Sequence, residues 1–236
     1  MDHLVRHDLI SSSQHGFVQK KSCVTNLIEC QHVVSSLLYE DKPVDVLYTD
    51  FEKAFDKVSH RKLLIKLSGY GIRGNLLNWI ESFLKNRRQR VVMGDFESEW
   101  RKITSGVPQG SVLGPLLFVI YINDLPDGLE NTFKMYADDS KVIAEVEDKI
   151  TESKSQTDIH KIKDWCDKWS MSLNSKKCKV MHYGKKNPER DYFIGNGNER
   201  VQLGKTDAEK DLGVIIENNG KSSKQIQSAV SRANSI

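Results

Sequence analysis

The sequence predicts an α+β protein, because helix-like and strand-like runs both recur along its 236 residues. Residues 24–38 and 150–174 carry apolar side chains at helical spacing. Residues 44–50 and 179–183 are short, mostly apolar runs that are typical of strands. With 38% hydrophobic and 28% charged residues, the chain has the composition of a folded globular protein, and it is long enough to bury a sizeable core.

The composition excludes several classes of protein. A net charge of +3 is too small to indicate a nucleic-acid partner by itself. The four cysteines form no Cys-x-x-Cys pair, which argues against a zinc ribbon or a disulfide framework and suits a reducing compartment. Residues 1–8 lack the apolar core of a signal peptide, and the most apolar run, residues 112–122, is too short to span a membrane. We therefore expect an intracellular protein of the cytoplasm, the nucleus or both, without a membrane partner.

In the first half of the chain, the pattern predicts helices around a hairpin and a turn-rich loop. Inward-facing leucines predict helices over residues 63–69 and 76–84, each ended or preceded by glycine. Residues 90–104 are predicted to form a hairpin. Ser111, at the end of the following loop, is a good N-cap for an apolar helix over residues 112–122.

The second half continues with the long helix over residues 150–174 and the strand over residues 179–183. Residues 184–204 are polar and show no clear period. A last strand is predicted over residues 211–216. Residues 221–236 then have helical spacing, and the apolar face of this helix has no partner in the sequence.

The tetrapeptide Tyr136-Ala137-Asp138-Asp139 lies between two strand-like runs, which predicts a hairpin with two carboxylates at its tip. Adjacent acids in a turn are most simply a solvated surface turn. The alternative is a site for a divalent cation. Asp50 adds a third carboxylate at the end of the strand over residues 44–49. If the two strands are neighbours, the three carboxylates converge and can hold two Mg²⁺ ions, as in-line phosphoryl transfer requires.

An ordered series of motifs then resembles a known family. The chain resembles the polymerase domain of reverse transcriptases from non-long-terminal-repeat (LINE-type) retrotransposons, nearest the jockey-like group. Five motifs in family order carry the resemblance, and they cover nearly the whole chain: Gln14-His15-Gly16-Phe17 with Ser22–Leu27, Asp50–Val58, Ser105–Pro115, Ile122–Leu125 and Tyr136–Asp139.

The resemblance implies a right-hand polymerase fold, with a palm built on a four-stranded antiparallel sheet of the ferredoxin-like or RRM-like type and with helical fingers. It implies that residues 1–220 form the fingers and palm, with the first part of the fingers missing. Residues 221–236 would be the beginning of a truncated thumb. In the full-length element, an endonuclease domain and the rest of the thumb are expected.

The resemblance also implies roles for single residues. Asp50, Asp138 and Asp139 are similar to the catalytic aspartates, with Asp50 and Asp138 as the main ligands of two Mg²⁺ ions (or Mn²⁺). Phe55 lies where the family places an aromatic ring that excludes the ribose 2′-hydroxyl, although simple core packing also explains it. The implied nucleotide-binding residues are Phe51, Phe55, Gln109, Gly110, Lys21 and Lys177. Both lysines lie in charge runs that a solvated surface also explains.

The implied partners are an RNA template, a DNA primer and deoxynucleoside triphosphates. One departure from the family is Val18, which stands where an arginine usually follows Gly-Phe, so the triphosphate contact would fall to Lys20 or Lys21. Leu212-Gly213-Val214 resembles the hairpin that grips the primer, and Lys85–Arg90 could contact template phosphates. A catalytically inactive relic or co-opted nucleic-acid-binding fragment stays an alternative, as does an intron-encoded reverse transcriptase that assists splicing.

Overall fold

The structure is a computed structural model of the chain, and it describes residues 2–195, 197 and 200–234. The described helices are α1 (Asp2–Arg6), α2 (Cys23–Tyr39), α3 (Ala54–Lys57), α4 (His60–Gly69), α5 (Gly74–Leu84), α6 (Leu113–Ile122), α7 (Lys149–Trp169) and α8 (Ser223–Ala233). The described strands are β1 (Val44–Thr49), β2 (Arg88–Gln89), β3 (Val92–Met93), β4 (Phe96–Glu97), β5 (Arg101–Lys102), β6 (Thr132–Tyr136), β7 (Asp139–Glu145), β8 (Lys179–Tyr183), β9 (Phe193–Ile194), β10 (Val201–Gln202), β11 (Gly204–Lys205), β12 (Ala208–Asp211) and β13 (Val214–Glu217).

Strand β1 is the centre of a five-stranded sheet with the order β11-β8-β1-β7-β6. The pairs β1–β7, β1–β8 and β6–β7 are antiparallel. This confirms the predicted α+β class and the four-stranded antiparallel sheet. The short strand β11, which was not predicted, adds a parallel edge beside β8.

The sheet is covered on both faces, which explains why β1 is apolar along most of its length. Successive side chains of a strand point to opposite faces. Val46 packs in one cluster with Cys30 and Val34 of α2. Leu47 belongs to the other cluster, with Phe118 of α6 and Ile162 of α7. A central strand between two cores has no solvent-facing side, and even its polar residue Asp45 is fully buried.

Helix α6 is the most apolar helix and lies in the core. Its residues Leu117–Ile122 are at most 1% exposed. Its N-cap position is Val112 and not Ser111 as predicted, but the Ser111 hydroxyl accepts the N–H of Gly114 at 2.9 Å and so satisfies a donor of the first turn. Gly114 has to be glycine, since a Cβ there would lie 2.4 Å from the carbonyl oxygen of Pro108. Within the described ranges, no helix is both long and apolar enough to cross a membrane.

Two predicted boundaries are wrong. Helix α7 does not continue to residue 174 but ends before Ser170, which adopts a left-handed φ of 57°. The single strand predicted over residues 211–216 is instead the hairpin β12–β13. Its turn is formed by Leu212 and Gly213, with φ angles of 46° and 91°. A left-handed leucine is uncommon, so the hydrophobic pattern does not show this turn, whereas the resemblance of Leu212-Gly213-Val214 to a hairpin does.

At the beginning of helix α2, two apolar side chains that the spacing predicts to face inward lie in solvent instead, although Val34, Leu37 and Leu38 pack inward as predicted. Val24 and Ile28 are 61% and 62% exposed, whereas Asn26 is fully buried. The Asn26 amide donates to the carbonyl oxygen of Met135 in β6 at 3.2 Å. A polar residue therefore occupies an inward position because it satisfies the main chain of the sheet edge. Hydrophobic periodicity cannot reveal such a contact.

Helix α8 lies within the predicted last helix, of which residues 235–236 are outside the described residues. It packs on the β12–β13 hairpin, where the Gln225 side chain accepts the N–H of Ile215 at 2.9 Å. Ile226 and Val230 remain 60% and 53% exposed. The assignment of residues 221–236 to a thumb, and of residues 1–220 to fingers and palm, stays a prediction.

A buried lysine joins the helices. Lys66 of α4 is 6% exposed, and its ammonium group donates to the carbonyl oxygen of Tyr121 and to the carboxylate of Asp124. The ammonium group also lies 3.8 Å from the centroid of the Trp169 ring. Burial lowers the pKa of Lys66 to about 8.

This lowered pKa predicts a pH-dependent stability. Between pH 8 and about 10.4 the unfolded chain keeps the Lys66 proton that the folded chain has released, so the free energy of unfolding rises with pH. We expect wild type to gain up to about 3 kcal/mol over Lys66→Met in this window. Urea unfolding at pH 7.5, 9 and 10 measures the difference. Arg61→Met, which removes an exposed cation from the same helix, is the control. A difference between wild type and Lys66→Met that stays constant from pH 7.5 to 10 would contradict the prediction.

Candidate active site

The acidic tetrapeptide forms the turn between β6 and β7. Strand β6 ends at Tyr136, which pairs with Asp139 at the start of β7. Ala137 adopts a left-handed φ of 53°. Asp138 is half-buried in the turn, and the Asp139 side chain is exposed. The predicted hairpin, with carboxylates at its tip, is confirmed.

The segment Ser13–Gly16 holds this turn from the edge of the sheet. The N–H of His15 donates to the carbonyl oxygen of Met135 at 2.8 Å, and the N–H of Met135 donates to that of Ser13 at 2.9 Å. The Gln14 side chain accepts the N–H of Ala137 at 2.9 Å. The predicted turn at Gln14-His15-Gly16-Phe17 is therefore also a support for the acidic hairpin. Only the motif order pointed to this segment in the sequence.

Strand β1 brings Asp50 to the same end of the sheet. Thr49 of β1 pairs with Ser140 of β7, so the next residues of the two strands are Asp50 and Asp139. The hydroxyl groups of Thr49 and Ser140 are 2.6 Å apart and link the strands at this point. The carbonyl oxygen of Asp50 accepts the N–H of Asn174 at 2.8 Å. The structure thus brings Asp50, Asp138 and Asp139 together, as the sequence predicts.

The neighbouring carboxylates disfavour the charge of Asp138 and of Asp139. Burial raises the pKa of Asp138, and the charge of Asp50 raises it further, while Lys177 opposes the shift. Although the Asp139 side chain reaches solvent, desolvation by the protein groups around it also raises its pKa, and the charges of Asp138 and Asp211 add to the shift. A cation bound among these groups would relieve both effects.

The donor set fits a divalent ion of the Mg²⁺ type. The Oδ2 atom of Asp50 is buried, lies 3.6 Å from the Lys177 ammonium and has no hydrogen-bond partner among the described residues, which leaves it able to bind a cation. Across residues 2–195, 197 and 200–234, no three His, Cys, Asp or Glu side chains are gathered closely enough to enclose an ion by themselves. Mg²⁺ commonly takes only one or two protein carboxylates and completes its coordination with water and substrate phosphates. Asp50 and Asp138 can supply these one or two carboxylate ligands.

A cavity of about 380 Å³ opens beside the carboxylates. Asp50 and Asp139 line it together with Lys177, whose Nζ lies 3.6 Å from the Oδ2 atom of Asp50. This places the predicted Lys177 at the aspartates. The turn residue Leu212 also lines the cavity, so the β12–β13 hairpin faces the same space.

A buried ion pair in this cavity was missed by the sequence analysis. Lys141 and Asp211 are 2% and 7% exposed and pair with each other. They connect β7 to the β12–β13 hairpin, which forms a separate two-stranded sheet. The only available signal was a lysine inside an otherwise apolar strand. A buried pair is costly to break, so it favours one orientation of the hairpin.

The predicted nucleotide-binding loop is fastened to α3. The N–H groups of Gly106 and Val107 donate to the carbonyl oxygens of Val58 and Phe55 at 2.8 and 2.9 Å. The Phe55 ring is half-buried and stacks on Phe118, with centroids 4.2 Å apart. The core-packing interpretation of Phe55 is therefore correct, and it does not exclude a contact with a sugar.

Gln109 lies at a second cavity of about 540 Å³. Its amide is exposed and donates to the Asp56 carboxylate at 2.9 Å. Gly110 follows with a φ of 80°, and its α-carbon faces open space. The cations Lys53, Arg87 and Lys102 line this cavity together with Gln109. The loop thus exposes Gln109 to a basic pocket.

Two predicted site residues are placed differently. Phe51 is 5% exposed and packs edge-on against Trp165, with centroids 6.4 Å apart, so the core uses its ring and only its main chain remains near Asp50. The predicted nucleotide contact of Phe51 would therefore fall to its main chain, and it stays a prediction. The Lys21 ammonium donates to the carbonyl oxygen of Ser12 at 2.6 Å, and none of its described contacts involves the aspartates. Lys21 stays a prediction.

The chain belongs to the reverse transcriptase (RNA-dependent DNA polymerase) family, whose sequence profile matches residues 1–216. It is 34% identical over 145 residues to the RNA-directed DNA polymerase from mobile element jockey of Drosophila funebris, an alignment covering 56% of this chain and 15% of that protein. It is 28% identical over 220 residues to the probable RNA-directed DNA polymerase from transposon X-element of Drosophila melanogaster, covering 86% and 23%. The predicted jockey-like resemblance is confirmed, and the chain spans less than a quarter of the length of these relatives.

Solved structures agree on the fold. The apo telomerase of Candida tropicalis, truncated from its C-terminal domain, superposes with a TM-score of 0.62 at 14% identity, covering 92% of this chain and 41% of that one. The telomerase of Candida albicans in complex with a telomeric RNA fragment has a TM-score of 0.59 at 13% identity, covering 94% and 37%. At this identity the likeness shows the fold alone, and it confirms the predicted polymerase fold.

Proposed function

We propose that this chain is the nucleotidyl-transfer domain of an RNA-directed DNA polymerase, which adds deoxynucleotides to a DNA 3′-hydroxyl on an RNA template. The observation that carries the proposal is the convergence of Asp50 with Asp138 and Asp139 at one end of the sheet. Extension of a labelled DNA primer by the 236-residue chain on an RNA template tests it. Template-dependent products that disappear in Asp138→Asn would support the proposal, and unchanged synthesis by that variant would refute it.

The aspartates would hold the metal ions, with Asp50 and Asp138 as ligands and Asp139 in support. Two divalent ions, Mg²⁺ or Mn²⁺, would activate the attacking hydroxyl and stabilise the leaving pyrophosphate. Lys177, beside Asp50, is placed to neutralise or protonate that pyrophosphate. The left-handed turn at Leu212-Gly213 would contact the primer end across the cavity.

The substrates follow from the two cavities. The Phe55 ring, held by Phe118, would exclude a ribose 2′-hydroxyl. Gln109 would contact the incoming deoxynucleoside triphosphate from its exposed loop, with Gly110 allowing close approach of the main chain.

A basic ribbon, the strand pair β2–β5 with Arg88, Arg101 and Lys102, is the proposed contact for the template. Arg88 of β2 lies directly opposite Lys102 of β5, and both are exposed. Like charges at paired positions are destabilising, and a phosphate backbone would relieve them. The exposed Trp100, over which Arg90 lies at 4.7 Å, offers a ring on which a base can stack.

We expect the double variant Arg88→Gln with Lys102→Gln to weaken single-stranded RNA binding and to reduce its salt dependence. Each lost phosphate contact lowers the slope of log K against log salt by about 0.7, so two contacts lower it by roughly 1.4. Fluorescence anisotropy at 50 to 300 mM salt measures this. Lys154→Gln with Lys163→Gln removes the same charge from α7 and serves as the control. Equal slopes for the two double variants would rule out the ribbon.

A second candidate is a nucleic-acid-binding relic without synthesis. Val18 in place of the family's arginine, and the engagement of Lys21 with Ser12, favour it. Salt-dependent RNA binding by a chain that yields no extension products would support this candidate.

A further inference from the structure

The side chain of Gln14 fastens the turn that carries the acidic pair. Gln14 is fully buried, and its Oε1 atom accepts the N–H of Ala137 at 2.9 Å and the N–H of Gly16 at 2.7 Å. One oxygen thus joins the segment before α2 to the turn between β6 and β7. Asp138 is the residue immediately after the bonded Ala137.

Chemistry determines the orientation of this amide. Two N–H donors converge on the same side-chain atom of Gln14. That atom must be the oxygen, because the amide nitrogen of Gln14 is itself a donor and cannot accept a hydrogen bond. This orientation leaves the Nε2 atom of Gln14 buried without a hydrogen-bond partner in the described structure. An unsatisfied buried donor is costly. The two hydrogen bonds that the Oε1 atom accepts therefore determine the orientation of the Gln14 side chain.

The turn depends on this support because its backbone is strained. Ala137 has a φ of 53°, a conformation that residues with a Cβ rarely adopt. Gly16 packs against the other side of the same peptide, where a Cβ would lie 2.3 Å from the Ala137 nitrogen. Contact with Gly16 and the bond to Gln14 together leave the Tyr136–Ala137 peptide, which leads into Asp138, little freedom to rotate.

We propose that Gln14 is a positioning residue, which acts through Ala137 to hold the Asp138 carboxylate beside Asp50 in readiness for a divalent cation. The inference rests on the proposed function, which names Asp50 and Asp138 as ligands, and it adds the residue that places one of them. Residues that orient ligands without touching the metal commonly affect its affinity strongly.

The test compares Gln14→Met with a matched control, Gln156→Met. Gln156 makes the same kind of bridge far along the chain, accepting the N–H of Phe193 at 3.0 Å and donating to its carbonyl oxygen at 2.8 Å. Two quantities are measured on the 236-residue chain. Hydrogen exchange by NMR reports on the Ala137 N–H, and electron paramagnetic resonance reports on the affinity for Mn²⁺ alone.

We expect Gln14→Met to accelerate exchange at Ala137 at least about tenfold and to weaken Mn²⁺ binding by about tenfold. Gln156→Met should change neither quantity, even where it lowers the stability of the fold. Gln14→Glu, which keeps an acceptor oxygen for both N–H groups, should retain slow exchange. If Gln14→Met does not fold, Gln14→Asn replaces it, because the shorter side chain cannot reach both donors.

Each failure has its own signature. Unchanged exchange at Ala137 in the Gln14 variants overturns the inference. Faster exchange with unchanged Mn²⁺ affinity also overturns it, provided that Asp138→Asn weakens Mn²⁺ binding. If Asp138→Asn leaves Mn²⁺ binding as in wild type, the metal ligands of the proposed function are wrong, and exchange at Ala137 alone decides whether Gln14 holds the turn.

Discussion

Asp138→Asn is expected to lower primer extension at least about 10³-fold, which corresponds to roughly 4 kcal/mol of lost transition-state stabilisation. Asparagine keeps the shape of the side chain but removes the charge that a divalent ion requires. The measurement is single-turnover extension of a labelled primer with Mg²⁺. Asp167→Asn, which removes an exposed carboxylate from α7, is the control and should retain wild-type rates.

The same substitution should not destabilise the fold, and this separates a functional role from a structural one. Burial and Asp50 raise the pKa of Asp138, so the folded chain disfavours its ionised form. Stability from this group is therefore lost as pH rises through the folded pKa. Without metal, Asp138→Asn should melt at the same temperature as wild type or higher at pH 7.5, with the difference shrinking at lower pH. A variant that melts lower and still extends primers would contradict the assignment.

Phe55→Val is expected to admit ribonucleotides. The ring that Phe118 holds in place would be replaced by a smaller side chain, which leaves room for a 2′-hydroxyl. We expect the ratio of kcat/KM for a deoxynucleotide to that for the matching ribonucleotide to fall by roughly 10- to 100-fold. Steady-state incorporation of dTTP and UTP opposite the same template base measures this ratio.

The matched control for this prediction is Phe51→Val. Phe51 is a phenylalanine of the same motif, but its ring is buried against Trp165. Its truncation should cost about 2–4 kcal/mol of stability and leave the selectivity ratio unchanged. If Phe55→Val behaves in the same way, Phe55 serves packing alone and the selectivity of the site must come from elsewhere.

Much of the fold could be read from local patterns. The central strand and the apolar helix α6 were predicted from continuous apolar runs, and the acidic hairpin from polar residues between two strand-like runs. The errors occur where a single backbone conformation decides the outcome. Ser170 ends α7 and Leu212 begins the turn of a hairpin. Both adopt a positive φ, which neither serine nor leucine usually adopts, so the residue type does not predict it.

In the candidate site, too, some residues could be predicted from the sequence and others could not. Asp50, Asp138 and Gln109 were predicted from motifs, since their chemistry is carried by residue type and order along the chain. Gln14 as a support for the turn was not predicted, and neither was the pair of Lys141 with Asp211. Both contacts join segments far apart in sequence, over 123 and 70 positions.

By itself, the sequence determined the class of protein, the acids of its site and most of its elements, because residue chemistry and hydrophobic period are local properties. Only the tertiary structure decided which polar side chains lie inside. Gln14, Asn26 and Lys141 are buried because the sheet edge or a distant carboxylate offers each a partner. Burying a polar group costs free energy unless a hydrogen-bond or ion-pair partner compensates it. That partner comes from a distant part of the chain, so no local sequence pattern identifies it.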